Sequence, residues 1–276
     1  MIKPILCTIG LLCGLSLFTV QAQTAKPLRA LLITGGCCHD YKNQKEIIPN
    51  GVRARANIEW TVVQEGGSGT KRQNIQNSLY QNPDWAKGYD IVVHNECFAD
   101  DTDLEYIERV LKPHREGTPA VVLHCTMHTF RALKTNVFRE FLGVTSTHHG
   151  PQHTCDVKNL KPEHAIMKGF PPVWVTVPEE LYAIDKVWPN TITLAAAADK
   201  KKDTNGVWTA TSKEHTIIWA STYGKGRVFG TTLAHANKTF SDPVFLDLLT
   251  RGMLWACDKL DQNGAPKPGY EAPARK

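Results

Sequence analysis

Histidine supplies most of the reactive chemistry in this chain. It recurs in His39-Asp40, His94-Asn95-Glu96, His124-Cys125-Thr126-Met127-His128, His148-His149-Gly150-Pro151-Gln152-His153 and Leu233-Ala234-His235. Imidazole titrates near neutrality and is the commonest metal ligand, so a convergent group suits proton transfer, polar sugar recognition or metal binding. One histidine alone is more often a hydrogen-bonded structural group, and the weight here lies in their number. His124 and His128 are four apart at an expected helix start, which predicts a shared face; His149 and His153 repeat the spacing in a loop. Neither pair is an HExxH motif. A divalent ion such as zinc needs three or four ligands, and the candidates are His124, His149 and His235 with Glu180 as an oxygen donor. Of the others, His164 reads as fixing a turn, His94 as part of a strand packing layer, and His114 and His215 as surface residues.

Cys125 stands after an expected strand and before a helix, where a helix N-terminus and a nearby histidine favour a thiolate nucleophile. No Gly-x-Cys-x-Gly frames that turn, so the usual elbow is missing. Gly35-Gly36 is followed by neither GxGxxG nor GxxxxGK[ST], and no nucleotide cofactor is expected.

The elements that must position these residues alternate. Leu28 to Thr34, Ile58 to Gln64, Asp90 to Asn95 and Ala120 to Leu123 read as strands. Between them, Gln44 to Arg55 has helical spacing broken by Pro49, a short helix is expected near Asn74 to Tyr80, and Asp101 and Asp103 open a helix with Leu104, Ile107, Val110 and Leu111 on one face. That order implies a mainly parallel sheet flanked by helices, because each parallel crossover needs a helix to return the chain. In the second half, strands at Cys155 to Val157, Val173 to Val177, Ile192 to Ala197, Trp208 to Thr211, Thr216 to Ser221 and Arg227 to Thr232 are divided by turns. They are expected as antiparallel additions, with Tyr223 to Gly226 as a hairpin connection and a closing helix over Pro243 to Ala256. Ligands of open α/β sheets collect beyond the carboxyl ends of the strands, where His39, Asn95, His124 and His235 fall.

At 276 residues, with 42% hydrophobic and 21% charged, the chain has the balance of a globular protein, and a net charge of +5 is too thin to point to nucleic acid. Lys3, the apolar stretch Ile5 to Val20 and Val20-Gln21-Ala22 read as a secretory signal over residues 1–22, about sixteen apolar residues against the roughly twenty that span a bilayer. The expectation is a periplasmic or secreted protein without stable membrane insertion, one domain over 27–260 and a flexible tail over 261–276. Six of the eight cysteines follow that segment. Their spacing gives no disulfide framework, adjacent Cys37 and Cys38 are not expected to bridge, and most of these thiols read as buried small hydrophobes.

Taken in order, ThrGlyGly with His39-Asp40, Leu123-His124 with Thr129-Phe130, His149-Gly150, Glu163-His164 through Pro171, Glu179-Glu180-Leu181-Tyr182 and Tyr223 to Phe229 leading to Leu233-Ala234-His235 resemble the ThuA-like, or trehalose-utilisation, family. The resemblance covers nearly all of Leu28 to Asp258. It implies a flavodoxin-like fold similar to the class I glutamine amidotransferase domain, without that enzyme's triad, and a role in handling sugars, including glycosides oxidised to keto forms by a partner oxidoreductase. It places His39, Asp40, His124, His149, Glu180 and His235 in one pocket. Departures are Ala234 for the usual glycine, His128 where Asp is frequent and Cys125 where Ser or Gly is common.

Two classes of function follow. As a hydrolase, lyase or isomerase of a disaccharide or keto-glycoside, the protein would use Glu180 or His235 as general base and His39 or His124 to polarise a sugar oxygen, with Asp40, Asn95, His128, His149 and His153 as substrate contacts. As a non-catalytic carbohydrate-binding module it would hold the sugar against Trp60, Trp174, Trp188 or Trp208. An amidotransferase-like hydrolase, the third reading, requires Cys125.

Overall fold

The computed structural model describes residues 25–66 and 76–273; the expected signal segment lies outside them. The chain runs β1 (Leu28–Gly36), α1 (Tyr41–Arg53), β2 (Ile58–Glu65), β3 (Ile91–Cys97), α2 (Leu104–Glu116), β4 (Ala120–Leu123), α3 (Val137–Leu142), β5 (Val144–His149), β6 (His153–Asn159), β7 (Val173–Glu179), β8 (Tyr182–Val187), β9 (Thr191–Lys202), β10 (Trp208–Tyr223), β11 (Gly226–Thr231), α4 (Asn237–Phe240) and α5 (Pro243–Ala256). Nine strands form one sheet in the order β2-β1-β3-β4-β11-β10-β9-β6-β7. The first five are parallel, the flavodoxin-like order, and the rest are antiparallel, as the two halves of the sequence predict.

Alternation along β1 explains the layers. Ala30 and Leu32 face α1 and α5, meeting Ile48, Val52, Leu248 and Leu249, while Leu31 and Ile33 face α2 and α3, meeting Ile107, Val110 and Phe141. Apolar residues on both faces are what a central parallel strand requires. Asp40, Asp103 and Asp242 cap α1, α2 and α5 by accepting hydrogen bonds from first-turn N–H groups. Among the described residues no helix is long and apolar enough to cross a membrane.

Several elements differ from the sequence expectation. Helix α1 runs through Pro49, which is buried against the core; the packing of Ile48 and Val52 outweighs the missing N–H. The two strands expected at Trp208 and Thr216 are one long strand, β10, whose register against β9 shifts between Ala210 and Glu214, so a bulge, not a turn, separates them. Of the short helix expected near Asn74 to Tyr80, Asn74 and Ile75 lie outside the described residues, and the described part holds a 3-10 turn over Ser78–Gln81. Strands β5 and β8, absent from the sequence reading, form a separate antiparallel pair. The segment expected as a tail returns to the domain over its described part: Asn57 N–H donates to the Tyr270 carbonyl at 3.1 Å and Leu260 bridges to Pro266.

His114 and His215 are buried, not on the surface. His114, on the buried face of α2, donates from Nδ1–H to the Thr118 carbonyl at 2.9 Å, and its Nε2 lies 3.1 Å from His94 Nε2. His94 in turn lies 2.8 Å from Glu96 Oε1, which also accepts from Tyr80 OH at 2.8 Å. This polar chain is sealed within the apolar layer, and it gives the ring nitrogens of His94 and His114 the partners that burial makes necessary. Burial, with His94 beside it, pushes His114 down to about 3. His215 accepts from the Ile184 N–H at 2.9 Å and so ties β10 to β8.

Candidate functional site

Because β1, β4 and β11 run parallel, the residues that leave their carboxyl ends emerge on one rim. His39 follows β1, His124 follows β4, and His235 follows β11. Glu180 arrives there from β7, and His149, the last residue of β5, is opposite Tyr182 in β8 and therefore beside Glu180.

Each of the three rim histidines is aimed by a backbone in the left-handed region: Cys38 (φ 83) precedes His39, His124 itself has φ 43, and Ala234 (φ 82) precedes His235. Such a conformation costs a non-glycine residue about 1–3 kcal/mol, and strain of this kind gathers where side-chain direction matters more than stability. Ala234 thus occupies, as alanine, a turn that suits glycine.

Glu180 Oε2 is the centre of the group. It lies 3.2 Å from His235 Nδ1, 3.4 Å from His124 Nε2 and 3.5 Å from His149 Nε2. The His39 ring meets His124 and His235 edge-on, with centroids 4.7 and 4.9 Å away. Thr232 O accepts from His124 Nδ1 at 2.6 Å, which leaves His124 Nε2 as the lone-pair nitrogen facing Glu180. Gln152 Nε2 donates to His235 Nε2 at 2.9 Å, and His149 Nδ1 donates to the Gly150 carbonyl at 2.9 Å. Both ring nitrogens of His39, Nε2 of His124 and Nδ1 of His235 are buried with no hydrogen-bond partner. Buried polar atoms in native proteins are mostly partnered, by protein, by ordered water or by an ion.

Electrostatics separate the roles. Burial would raise Glu180, but the imidazoles of His124, His235 and His149 gathered around its carboxyl outweigh it and hold the group well below the usual range. The Glu180 carboxylate raises His235 despite burial, whereas burial lowers His124 and His39. One half-buried imidazole is thus biased toward its charged form and two deeper ones toward the neutral form.

The ligand atoms of His39, His124, Glu180 and His235 all lie within 4.8 Å of one another. Zinc bonds of about 2.0–2.1 Å in a tetrahedron would place ligand atoms roughly 3.3 Å apart, close to the His124 and His235 contacts with Glu180. His39, not His149, completes the mutual set; His149 reaches Glu180 from outside, with a third of its side chain exposed.

The remaining expected contacts divide. Asp40 lines the cleft with Cys38, His39, Gln152, His235, Ala236 and Asn237, a space of about 540 Å³, and accepts from Asn237 Nδ2 at 2.6 Å. His128 packs behind the pocket, stacked on Tyr182 at 4.3 Å. It does not share a face with His124, because the two bound a 3-10 turn, in which four residues overshoot one revolution. Asn95 is buried in hydrogen bonds to Thr34 and Gln44, and His153 is buried against Trp208; neither reaches the group. Trp60, Trp174, Trp188 and Trp208 are not in the cleft lining. Cys125 is bonded to Cys97 and buried, and Cys37 is bonded to Cys38. The latter pairing corrects the expectation that adjacent cysteines do not bridge: extended backbone would send the two side chains to opposite faces, and Cys38 lies in the left-handed region.

Sequence reasoning missed two supports. Glu179, fully buried, accepts from the His235 N–H and from Thr239 OH, and Tyr182 packs against His124, His128 and His149. The run Glu179-Glu180-Leu181-Tyr182 was the signal: neighbours at a strand end point to opposite sides, so one carboxylate can enter the pocket while the other supports it.

Fold and site together define a flavodoxin-like α/β protein with a histidine and glutamate cluster at the carboxyl rim of its sheet. The ThuA family model, described as trehalose utilisation, matches residues 30–256, and the chain belongs to that family. Among solved structures it is similar to a ThuA-like protein from Parabacteroides merdae ATCC 43184 (TM-score 0.64, 22% identity, 90% of this chain and 97% of that one). It is also similar to a ThuA-like protein from Bacteroides uniformis ATCC 8492 (TM-score 0.64, 14% identity, 90% and 98%), and to cytoplasmic protein STM3548 from Salmonella typhimurium (TM-score 0.52, 11% identity, 82% and 98%). No curated protein matches the chain.

Proposed function

We propose that this protein is an exported enzyme of carbohydrate metabolism whose cleft takes a disaccharide or keto-glycoside and cleaves, eliminates or isomerises it by proton transfer. The observation that carries the reading is the meeting of three imidazole nitrogens from separate segments around Glu180 Oε2, at 3.2 to 3.5 Å. Family membership supports the substrate class. Export is supported by the apolar N-terminal segment and by the disulfides, which persist in oxidising compartments. A sugar oxidoreductase supplying the keto form is the functional partner of this reading.

His235, held toward its charged form by Glu180, is the acid that donates from Nδ1 to a leaving or carbonyl oxygen; as it charges, a half-turn of the Gln152 amide lets Nε2 donate as well. His124, with Nδ1 committed to Thr232 O, presents Nε2 as the base. Asp40 and Asn237 at the mouth and His149 at the side bind sugar hydroxyls. The unpartnered nitrogens of His39, His124 and His235 with Glu180 also fit a divalent ion such as zinc, which would supply Lewis-acid polarisation of a sugar oxygen.

The test is incubation of the untagged protein with trehalose-type disaccharides and their keto forms, with and without added divalent metal, beside a metal analysis of the protein as purified. Turnover lost in Glu180→Gln and His124→Ala supports the reading; absence of product from every substrate under both conditions overturns it.

A further inference from the structure

Immediately beside the histidine pocket, four sulfurs converge. Cys37 and Cys38 follow from the end of β1, Cys97 ends β3 and Cys125 follows β4, so three parallel strands deliver them to one rim. Cys37 is bonded to Cys38 and Cys97 to Cys125, and the two bonds touch, with Cys37 Sγ 3.7 Å from Cys97 Sγ. Exposure is graded along the array. Cys38 is exposed and lines the cleft, whereas Cys37, Cys97 and Cys125 are 2%, 2% and 6% exposed. The inner end, Cys125, adjoins the His39 ring and follows His124 in the chain.

We propose that these cysteines form a thiol–disulfide relay by which a small thiol in the cleft, acting on Cys38, frees the Cys125 thiol in the wall of the histidine pocket. Disulfides exchange by thiolate attack on one sulfur with departure of the other, and accessibility selects the sulfur attacked. The external thiolate attacks Cys38 Sγ, forms a mixed disulfide there and releases Cys37 as thiolate. Cys37 then attacks the sulfur it already touches, Cys97, so that the Cys37–Cys97 bond forms, the Cys97–Cys125 bond breaks and Cys125 leaves. A second external thiol resolves the mixed disulfide at Cys38. In balance, two small thiols become one small disulfide, two protein disulfides become one, and the two protons end on Cys38 and Cys125. The relay stands apart from the sugar reading and would couple the redox state of the surroundings to a group at the pocket wall.

The test is titration of the full chain, never exposed to reductant, with reduced glutathione, followed by alkylation with iodoacetamide, proteolysis and mass spectrometry of the cross-linked peptides. At two equivalents the Cys97–Cys125 peptide is expected to be lost, a Cys37–Cys97 peptide to appear, and alkylation to fall on Cys38 and Cys125. In Cys38→Ser, where Cys37 begins as a free thiol, the Cys37–Cys97 peptide should rise at least about tenfold over untreated wild type without any glutathione. Alkylation of Cys37 and Cys38 with Cys97–Cys125 left intact, or all four thiols alkylated before reductant is added, overturns the relay. Should Cys38→Ser not fold, the wild-type titration decides alone.

Discussion

The fully buried carboxylate of Glu179 accepts a hydrogen bond from the backbone N–H of His235 at 2.8 Å. One carboxylate therefore fixes the chain of His235 while its neighbour, Glu180, faces the ring of the same residue. Burial pushes Glu179 up, toward the neutral form, so a neutral isostere should serve. Glu179→Gln, whose amide can accept from His235 and donate to Thr239, is expected to cost under about 1 kcal/mol, and Glu179→Ala about 1–3 kcal/mol for the donors left unpaired. Urea denaturation of both variants checks this; equal losses would refute it.

Glu180→Gln should lower His235 from its raised position, because the carboxylate is the first cause of the rise. In protein stripped of divalent ions, an NMR titration should find His235 above 6.5 in wild type and lower in the variant. Its turnover should fall by roughly 10²-fold or more, the usual worth of a general acid. An unmoved His235 would remove the charge argument.

Acid should destabilise the protein from pH 6.5 downward. His114 and His128 are lowered to about 3 and about 2, chiefly by burial, so below pH 6.5 the unfolded chain takes up protons that the folded chain refuses. Their stabilising effect is complete above the unfolded value and declines below it by up to about 1.4 kcal/mol per pH unit for each histidine. Denaturation at pH 7, 6 and 5 measures the slope. His128→Phe, which keeps the stack on Tyr182, should reduce it by about one histidine's share.

Gly36→Ala should prevent normal folding or cost at least about 3 kcal/mol. Gly36 has φ +100, and a Cβ there would stand 2.2 Å from the Cys97 carbonyl oxygen in the neighbouring strand. Both the backbone and the β1–β3 spacing oppose it, by the close-approach argument for glycine. Thermal unfolding within about 2 °C of wild type would contradict this placement.

Much of the scaffold was legible because its signals are local. The runs Leu28 to Thr34, Asp90 to Asn95 and Ala120 to Leu123 are continuous apolar stretches that only a strand buried on both faces can use, and the glycines and prolines between them mark the turns. The strand-end positions of His39, His124 and His235 were legible for the same reason. Pro49, Trp208 to Tyr223 and the 3-10 turn at His124 were misread because tertiary packing and cross-strand register override local rules there.

The sequence by itself determined a β/α order, a mainly parallel sheet and histidines at the carboxyl ends of its strands, all consequences of periodicity along a few residues. Only the tertiary structure decided that Glu180 lies among three imidazoles, that His39 rather than His149 completes the mutual set, that Asn95 and His153 point elsewhere and that four cysteines meet. Those are contacts between segments tens of residues apart, fixed by strand order, by the β5–β8 pairing and by three left-handed turns, and no local pattern encodes which distant partners such packing will bring together.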